Sequence, residues 1–423
     1  MKNIFPIFAL VVMFFFCASI LLRFFVKQCL IDNGIRSKFT DIIMFDVEIT
    51  KQDDAEGVQF VRAVKKKLQI NAEQKIFNSK NYNSTNYVRK KIENYTKNWL
   101  LFSKPIVQAT NRVDFYSGNK ILPNNVIDLG DGYLTETLLR DKLQNLDAFV
   151  QKIDYFKYIL DSIDIPLVYV QYPHIICSED NISKTGEDQN IWVKNELMQK
   201  LKDAGIPIID LHKELHQRAN SHDKEFHHSL FYKTDHHWQI GTVILTGKII
   251  SEKLNEFYDF GLEAALLDTA NFMKIFVKKW LGSIGEKIIP LYSKEDFYIY
   301  SPRYATDINW LFFKSKMFES DGSFDSLYHF LSESDDSKSV YSSAYPTFSF
   351  SRNNNLPNGK KILLIGDSFN TPLSKFLALV FKEVNFIYRR SSLLDDYLAN
   401  KPDVVVVGFD NAPFSEPLNS RSL

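Results

Sequence analysis

Two short stretches of this chain hold the side chains that acyl transfer requires. The segment Phe231–Trp238 carries an acid and two imidazoles, and Leu363–Phe369 carries a hydroxyl. A serine hydroxyl is a weak nucleophile until a nearby base removes its proton. An imidazole can do so when one ring nitrogen faces the hydroxyl and a carboxylate holds the other. Asp235 precedes His237 by two residues, a spacing that a tight turn closes. The candidate set is therefore Ser368 as nucleophile, His237 as base and Asp235 as the acid that orients it. His236, next to Asp235, would point its ring away in an extended chain. Plainer readings stand beside these. Asp and Ser are common helix caps, and adjacent histidines are often surface residues or metal ligands.

The other histidines leave a metal reading open. His212, His216, His222, His227 and His228 lie just upstream, and His212 and His216 would sit one helical turn apart. The intervening residues do not make His-Glu-x-x-His, so no carboxylate occupies the general-base position of that motif. The simpler expectation is a histidine-rich, exposed helix end and loop, with no metal and no cofactor.

The elements around these residues must carry them to one place. Lys361–Ile365 is a short apolar run that reads as a buried strand. Gly366, Asp367 and Ser368 end it, and Leu373, Phe376, Leu377 and Val380 follow at helical spacing. A hydroxyl at that junction lies beside helix amides whose partial positive charge suits an oxyanion. Leu139, Leu143, Leu146, Val150, Ile153 and Leu160 give an earlier amphipathic helix. A strand over 166–172 follows, then a helix over 195–204, a strand over 206–211 and another over 403–407. Alternation of this kind predicts an α/β fold with a mostly parallel sheet, flavodoxin-like, covered by helices on both faces. Sites in such sheets lie at the carboxyl ends of the strands. Tyr172, Ser368 and Gly408 fall at those ends, and the Asp-His segment falls in a loop before a helix starting near Gln239. Residues 256–355 break the alternation. They read as an insertion before the nucleophile strand, lying over the catalytic face as a lid or platform, with a Ser/Asp-rich stretch at 332–343.

Composition narrows the class further. Lys plus Arg and Asp plus Glu number 51 each in 423 residues, which is not the basic footprint of a nucleic-acid binder. Ile4–Leu22 is an uncharged apolar run of 19 residues, long enough for a helix to span a bilayer. No small-residue cleavage site follows it, so an uncleaved single-pass anchor over 1–28 is expected. A stalk and irregular segment over 29–130 and a catalytic domain over 131–423 complete the expected organisation. Arg23, Lys27, Arg36 and Lys38 outnumber Lys2, which by charge alone leaves the domain in the cytoplasm. Of Cys17, Cys29 and Cys177, the last two could pair or remain thiols. No C-x-x-C occurs, so a zinc ribbon is excluded.

Asp-x-His-Trp upstream of a strand that ends Gly-Asp-Ser-Phe resembles the SGNH-hydrolase-like proteins of the AlgX/AlgJ and DHHW type. In that family Asp and His come before the serine, reversed from ordinary SGNH esterases. The resemblance runs from about Leu139 to Val407 through Tyr172-Pro173, Phe231–Trp238 and Lys361–Phe369. It implies Asp235, His237 and Ser368 as the triad. It also implies O-acetylation of a cell-surface or exported polysaccharide, with the domain outside the cytoplasm and a membrane-bound acyltransferase partner as acyl donor. An acetylesterase with the same triad and a non-catalytic scaffold of polysaccharide export are the alternatives. The glycine and asparagine blocks that give ordinary SGNH enzymes further oxyanion donors are not found, so only the Ser368 amide is nominated. No carbohydrate-binding module is visible towards the carboxyl terminus.

Overall fold

The computed structural model describes residues 121–122, 126–136, 146–177, 180, 190–288, 292–313, 317–320, 322–331, 348–388 and 398–410. The chain begins there with three short strands, β1 (Ile121–Leu122), β2 (Val126–Gly130) and β3 (Tyr133–Glu136). Next come α1 (Leu146–Asp161), β4 (Leu167–Gln171), α2 (Asn190–Asp203), β5 (Ile208–Asp210), α3 (Leu211–Ala219), α4 (Lys224–Ser229) and α5 (Ile240–Tyr258). The hairpin β6 (Phe272–Trp280) and β7 (Glu295–Pro302) precedes β8 (Ile308–Phe313), β9 (Met317–Ser320) and β10 (Phe348–Asn353). The strand β11 (Lys361–Gly366), α6 (Asn370–Leu377), β12 (Glu383–Tyr388) and β13 (Val404–Phe409) finish it.

Eight strands form the main sheet in the order β5-β4-β13-β11-β12-β10-β8-β9. The first five run parallel, and β10, β8 and β9 add antiparallel pairs on one side. β11 and β13 are uninterrupted apolar runs because both their faces are covered. Val168, Val170, Ile362, Leu364, Val404 and Val406 face one core with α3, α5 and α6, while Leu167, Tyr169, Leu363, Ile365, Val405 and Val407 face the other with α1 and α2. Fully burying one such side chain is worth about 1.5–3 kcal/mol. Along α1, Leu146, Phe149, Ile153, Phe156 and Leu160 repeat every three or four residues and supply its buried stripe.

Three expectations change. The segment over 256–355 is not only a cover: β8, β9 and β10 extend the sheet itself. β8 has Trp310 on one face and Leu311 on the other, both fully buried, so it cannot lie on a surface. The histidine-rich stretch is not exposed either, since His216, His227 and His228 are buried. Asp210 ends β5 one residue earlier than the apolar pattern implies, because its carboxylate accepts from Lys213 N–H and caps α3. The turn between β2 and β3, at Gly130–Gly132, is where the expected boundary at residue 131 falls; all three of its residues have positive φ. The apolar run Ile4–Leu22, Cys17, Cys29, Leu139, Leu143 and 332–343 lie outside the described residues. No helix among the described residues is long and apolar enough to cross a membrane.

Candidate active site

Ser368 stands just past the carboxyl end of β11, and its Oγ lies 2.7 Å from His237 Nε2. On the far side of the ring, His237 Nδ1 donates to Asp235 Oδ1 at 2.5 Å, and the same oxygen accepts from the His237 amide at 3.0 Å. A carboxylate only accepts, so Nδ1 carries the hydrogen and Nε2 turns its lone pair to the hydroxyl. Asp235 Oδ2 accepts from the Ser283 amide at 2.7 Å. Burial alone would raise the pKa of Asp235, which is 2% exposed. Electrostatic attraction to His237 and His236, with the hydrogen bonds from His237 and Ser283, outweighs that and holds the carboxyl well below the usual range. Ser368 is the half-buried member of the three, and Asp235 and His237 are buried.

The loop is held from several directions. Phe231 and Trp238 pair as an antiparallel bridge, and Tyr232 N–H donates to the His237 carbonyl at 3.1 Å. Glu295 on β7 accepts from the amides of Lys233 and Thr234 and from the Thr234 hydroxyl. Between β6 and β7, Gly282 N–H donates to Thr234 Oγ1 and Gly285 N–H to the Thr234 carbonyl. A Cβ on Gly282 would lie 2.3 Å from the Thr234 carbonyl oxygen and 2.5 Å from Asp235 Cβ. Only glycine allows that approach. Beneath the loop, buried Trp238 meets Tyr172 and Phe369 edge-on, with ring centroids 5.0 and 5.2 Å apart. His236 departs from the extended-chain expectation. The backbone bends across 235–237, so its ring centroid lies 3.9 Å from that of His237 and its Nδ1 lies 3.6 Å from Asp235 Oδ1.

No protein-family model matches the chain, and no curated protein does. Among solved structures, Bacillus cereus PatB1 matches with a TM-score of 0.56 at 17% identity, covering 69% of this chain and 98% of that one. PatB1 with a sulfonyl adduct matches with a TM-score of 0.54 at 15% identity, covering 70% and 97%. A DHHW family protein from Eubacterium siraeum matches with a TM-score of 0.50 at 15% identity, covering 69% and 92%. The chain has the fold of PatB1 and the DHHW protein. The resemblance carried by the two motifs therefore holds at the level of the fold.

On this DHHW-type fold the serine corner needs partners that the motifs do not announce. Asn370, the first residue of α6, donates to the Gly408 carbonyl at 2.7 Å, and its Oδ1 accepts from the Tyr172 hydroxyl. Side chains at Gly366 or Gly408 would fill that space. Asp367 caps the junction, accepting from Phe369 N–H at 3.0 Å and Asp410 N–H at 2.8 Å. The amides of Asn370 and Thr371 turn back to the carbonyls of Asp367 and Ser368. The first turn of α6 is thus occupied by its own acceptors, which corrects the expectation that several helix amides await an oxyanion. Among the described residues, no acceptor takes the Ser368 amide. Ser283, Gly282, Glu295, Asn370 and Tyr172 were not singled out from sequence as positioning residues. Only Tyr172 carried a signal, its place at a strand end.

Proposed function

We propose that this protein is a serine-dependent O-acyltransferase in which Asp235, His237 and Ser368 act as one unit. The reading is carried by the unbroken chain of contacts from Asp235 Oδ1 through both ring nitrogens of His237 to Ser368 Oγ. His237 Nε2 takes the hydroxyl proton as Oγ attacks the acyl carbonyl. The resulting oxyanion is met by the Ser368 amide, and loss of one such donor typically costs about 100- to 1000-fold in kcat. His237 then returns the proton to the leaving oxygen, and an acyl-enzyme remains on Ser368. An acceptor hydroxyl attacks that ester, again giving its proton to Nε2. The bond from the acyl carbon to Oγ then breaks, Nε2 returns the proton to Ser368 Oγ, and the acceptor leaves as its ester. Asp235 holds the imidazolium through both half-reactions.

The acceptor in this reading is a cell-surface or exported polysaccharide, and the acyl group is acetyl. The resemblance in sequence supports both. Ile4–Leu22 anchors the chain with its catalytic domain outside the cytoplasm, and a membrane-bound acyltransferase supplies the acetyl group. Water at the half-buried Ser368 would give an acetylesterase from the same intermediate. The test uses a chromogenic acetyl ester with and without an oligosaccharide acceptor. Acetylated sugar supports transfer, and free acetate alone moves the assignment to hydrolysis. PatB1 is known with a sulfonyl adduct, so a sulfonyl fluoride is a fitting probe. Labelling that maps anywhere except Ser368 would remove the mechanism.

A further inference from the structure

The histidines that the triad leaves unused converge on a second place. His212 and His216 lie one turn apart on α3, and His227 comes across from α4. Ring centroids are 4.4 Å apart for His212 and His216, 5.1 Å for His212 and His227, and 5.3 Å for His216 and His227. One ring nitrogen of each lies within 4.8 Å of the other two. His216 and His227 are buried and His212 is half-buried.

The hydrogen bonds around two of these rings fix their tautomers. His216 Nδ1 lies 2.8 Å from the Ser221 carbonyl oxygen, and His227 Nε2 lies 2.8 Å from the His174 carbonyl oxygen. A carbonyl only accepts, so both of those nitrogens carry hydrogen. In neutral rings the other two nitrogens, His216 Nε2 and His227 Nδ1, then hold bare lone pairs. They face each other at 3.0 Å. Two lone pairs at that distance need a cation between or beside them. Nitrogens bound to one tetrahedral zinc at about 2.0–2.1 Å lie roughly 3.3 Å apart, a few tenths of an ångström from what is seen. Backbone carbonyls holding the far nitrogens are also what ligating histidines commonly use to orient their rings.

We propose that His212, His216 and His227 bind one divalent transition ion, zinc before others, through His216 Nε2, His227 Nδ1 and a nitrogen of His212. Three imidazoles suit zinc, and a fourth position remains for water. The ion's work is structural. It joins α3 to α4, and α4 passes through Leu230 directly into the loop that carries Asp235 and His237. The competing cation is a proton shared by His216 and His227, which requires no metal.

The full chain is stripped with a chelator and titrated with Co²⁺ and then Zn²⁺. One equivalent of Co²⁺ should give visible tetrahedral ligand-field bands that Zn²⁺ abolishes, and the melting temperature should rise with Zn²⁺ concentration. His212→Gln and His216→Gln should each lose the bands and the metal-dependent rise. His236→Ala and His228→Gln should retain both, which separates this site from the Asp235, His236 and His237 group and from the neighbouring Cys177, Asp180 and His228 group. If His216→Gln does not fold, His212→Gln, whose ring is only half-buried, decides. A stripped wild type that binds no stoichiometric Co²⁺ or Zn²⁺ overturns the proposal and leaves the shared proton. Binding that survives His212→Gln overturns it too.

Discussion

Asp235 lies under two opposed influences: burial favours its neutral form, and two imidazoles with two backbone amides favour the anion. The anion prevails, so the carboxylate is in place to hold an imidazolium. Asp235→Asn keeps the volume and permits the wrong ring tautomer, and kcat on an acetyl ester should fall by about 10³- to 10⁴-fold. The same substitution has a pH signature. A carboxyl whose folded pKa lies below its unfolded value of about 3.9 stabilises the protein above that value and stops doing so as pH falls through the folded one. The melting-temperature gap between wild type and Asp235→Asn should therefore be widest near neutrality and narrow on acidification below about pH 4. A gap that stays constant would mean the carboxylate is not the favoured form. Lys375 on α6 presents the opposite case. It is 0% exposed, and among the described residues its ammonium has no hydrogen-bond acceptor. Burial holds its pKa well below the usual lysine value. Between the folded value and about 10.4 the unfolded chain binds the extra proton, so stability rises with pH by up to about 1.4 kcal/mol per unit. Lys375→Met should raise the melting temperature at pH 7 and flatten its climb towards pH 10, as read by calorimetry. A less stable variant would show that the amine has a favourable partner.

Strands and loops decide whether these residues meet. The turn between β6 and β7 presses its backbone against Thr234 and gives the Ser283 amide to Asp235. Gly282→Ala would push Asp235 away from its seat, and a displacement of about 1 Å at a catalytic group can cost about 100-fold in rate. The expected result is that loss in kcat with an unchanged far-UV spectrum and an unchanged KM. A variant with wild-type turnover would show that the turn does not position the acid. This contact was not legible in the sequence, because Gly282 and Asp235 are far apart along the chain and a lone glycine gives no hint of its neighbour. What could be read was local. The apolar run of β11 ended by Gly366 and Asp367, the two-residue step from Asp235 to His237, and the α1 periodicity all depend on neighbours within a few positions. Periodicity failed for β8–β10, because β8 has apolar side chains on both faces and sits in a polar, aromatic-rich stretch. It also failed for the histidines, whose burial depends on α3 and α4 packing together and not on their own polarity.

For the molecule as a whole, the sheet is continuous through residues that read from sequence as an accessory. β10 lies against β12 and carries β8 and β9 beyond it. Removing 259–355 should therefore yield no soluble, cooperatively unfolding domain, in contrast to trimming a lid. A truncated chain that folds and reacts with a sulfonyl fluoride at Ser368 would refute that. Hydrogen exchange offers a second test. Amides of β11 and β13, flanked by strands on both sides and covered on both faces, should exchange last and by global opening, whereas the β6–β7 hairpin should exchange earlier. The origin of the Ser283 amide has a practical corollary for enzyme engineering. Anyone transplanting the proposed triad into another scaffold has three pieces of backbone to carry, since copying the serine corner and the histidine loop alone would leave the second oxygen of Asp235 without its donor.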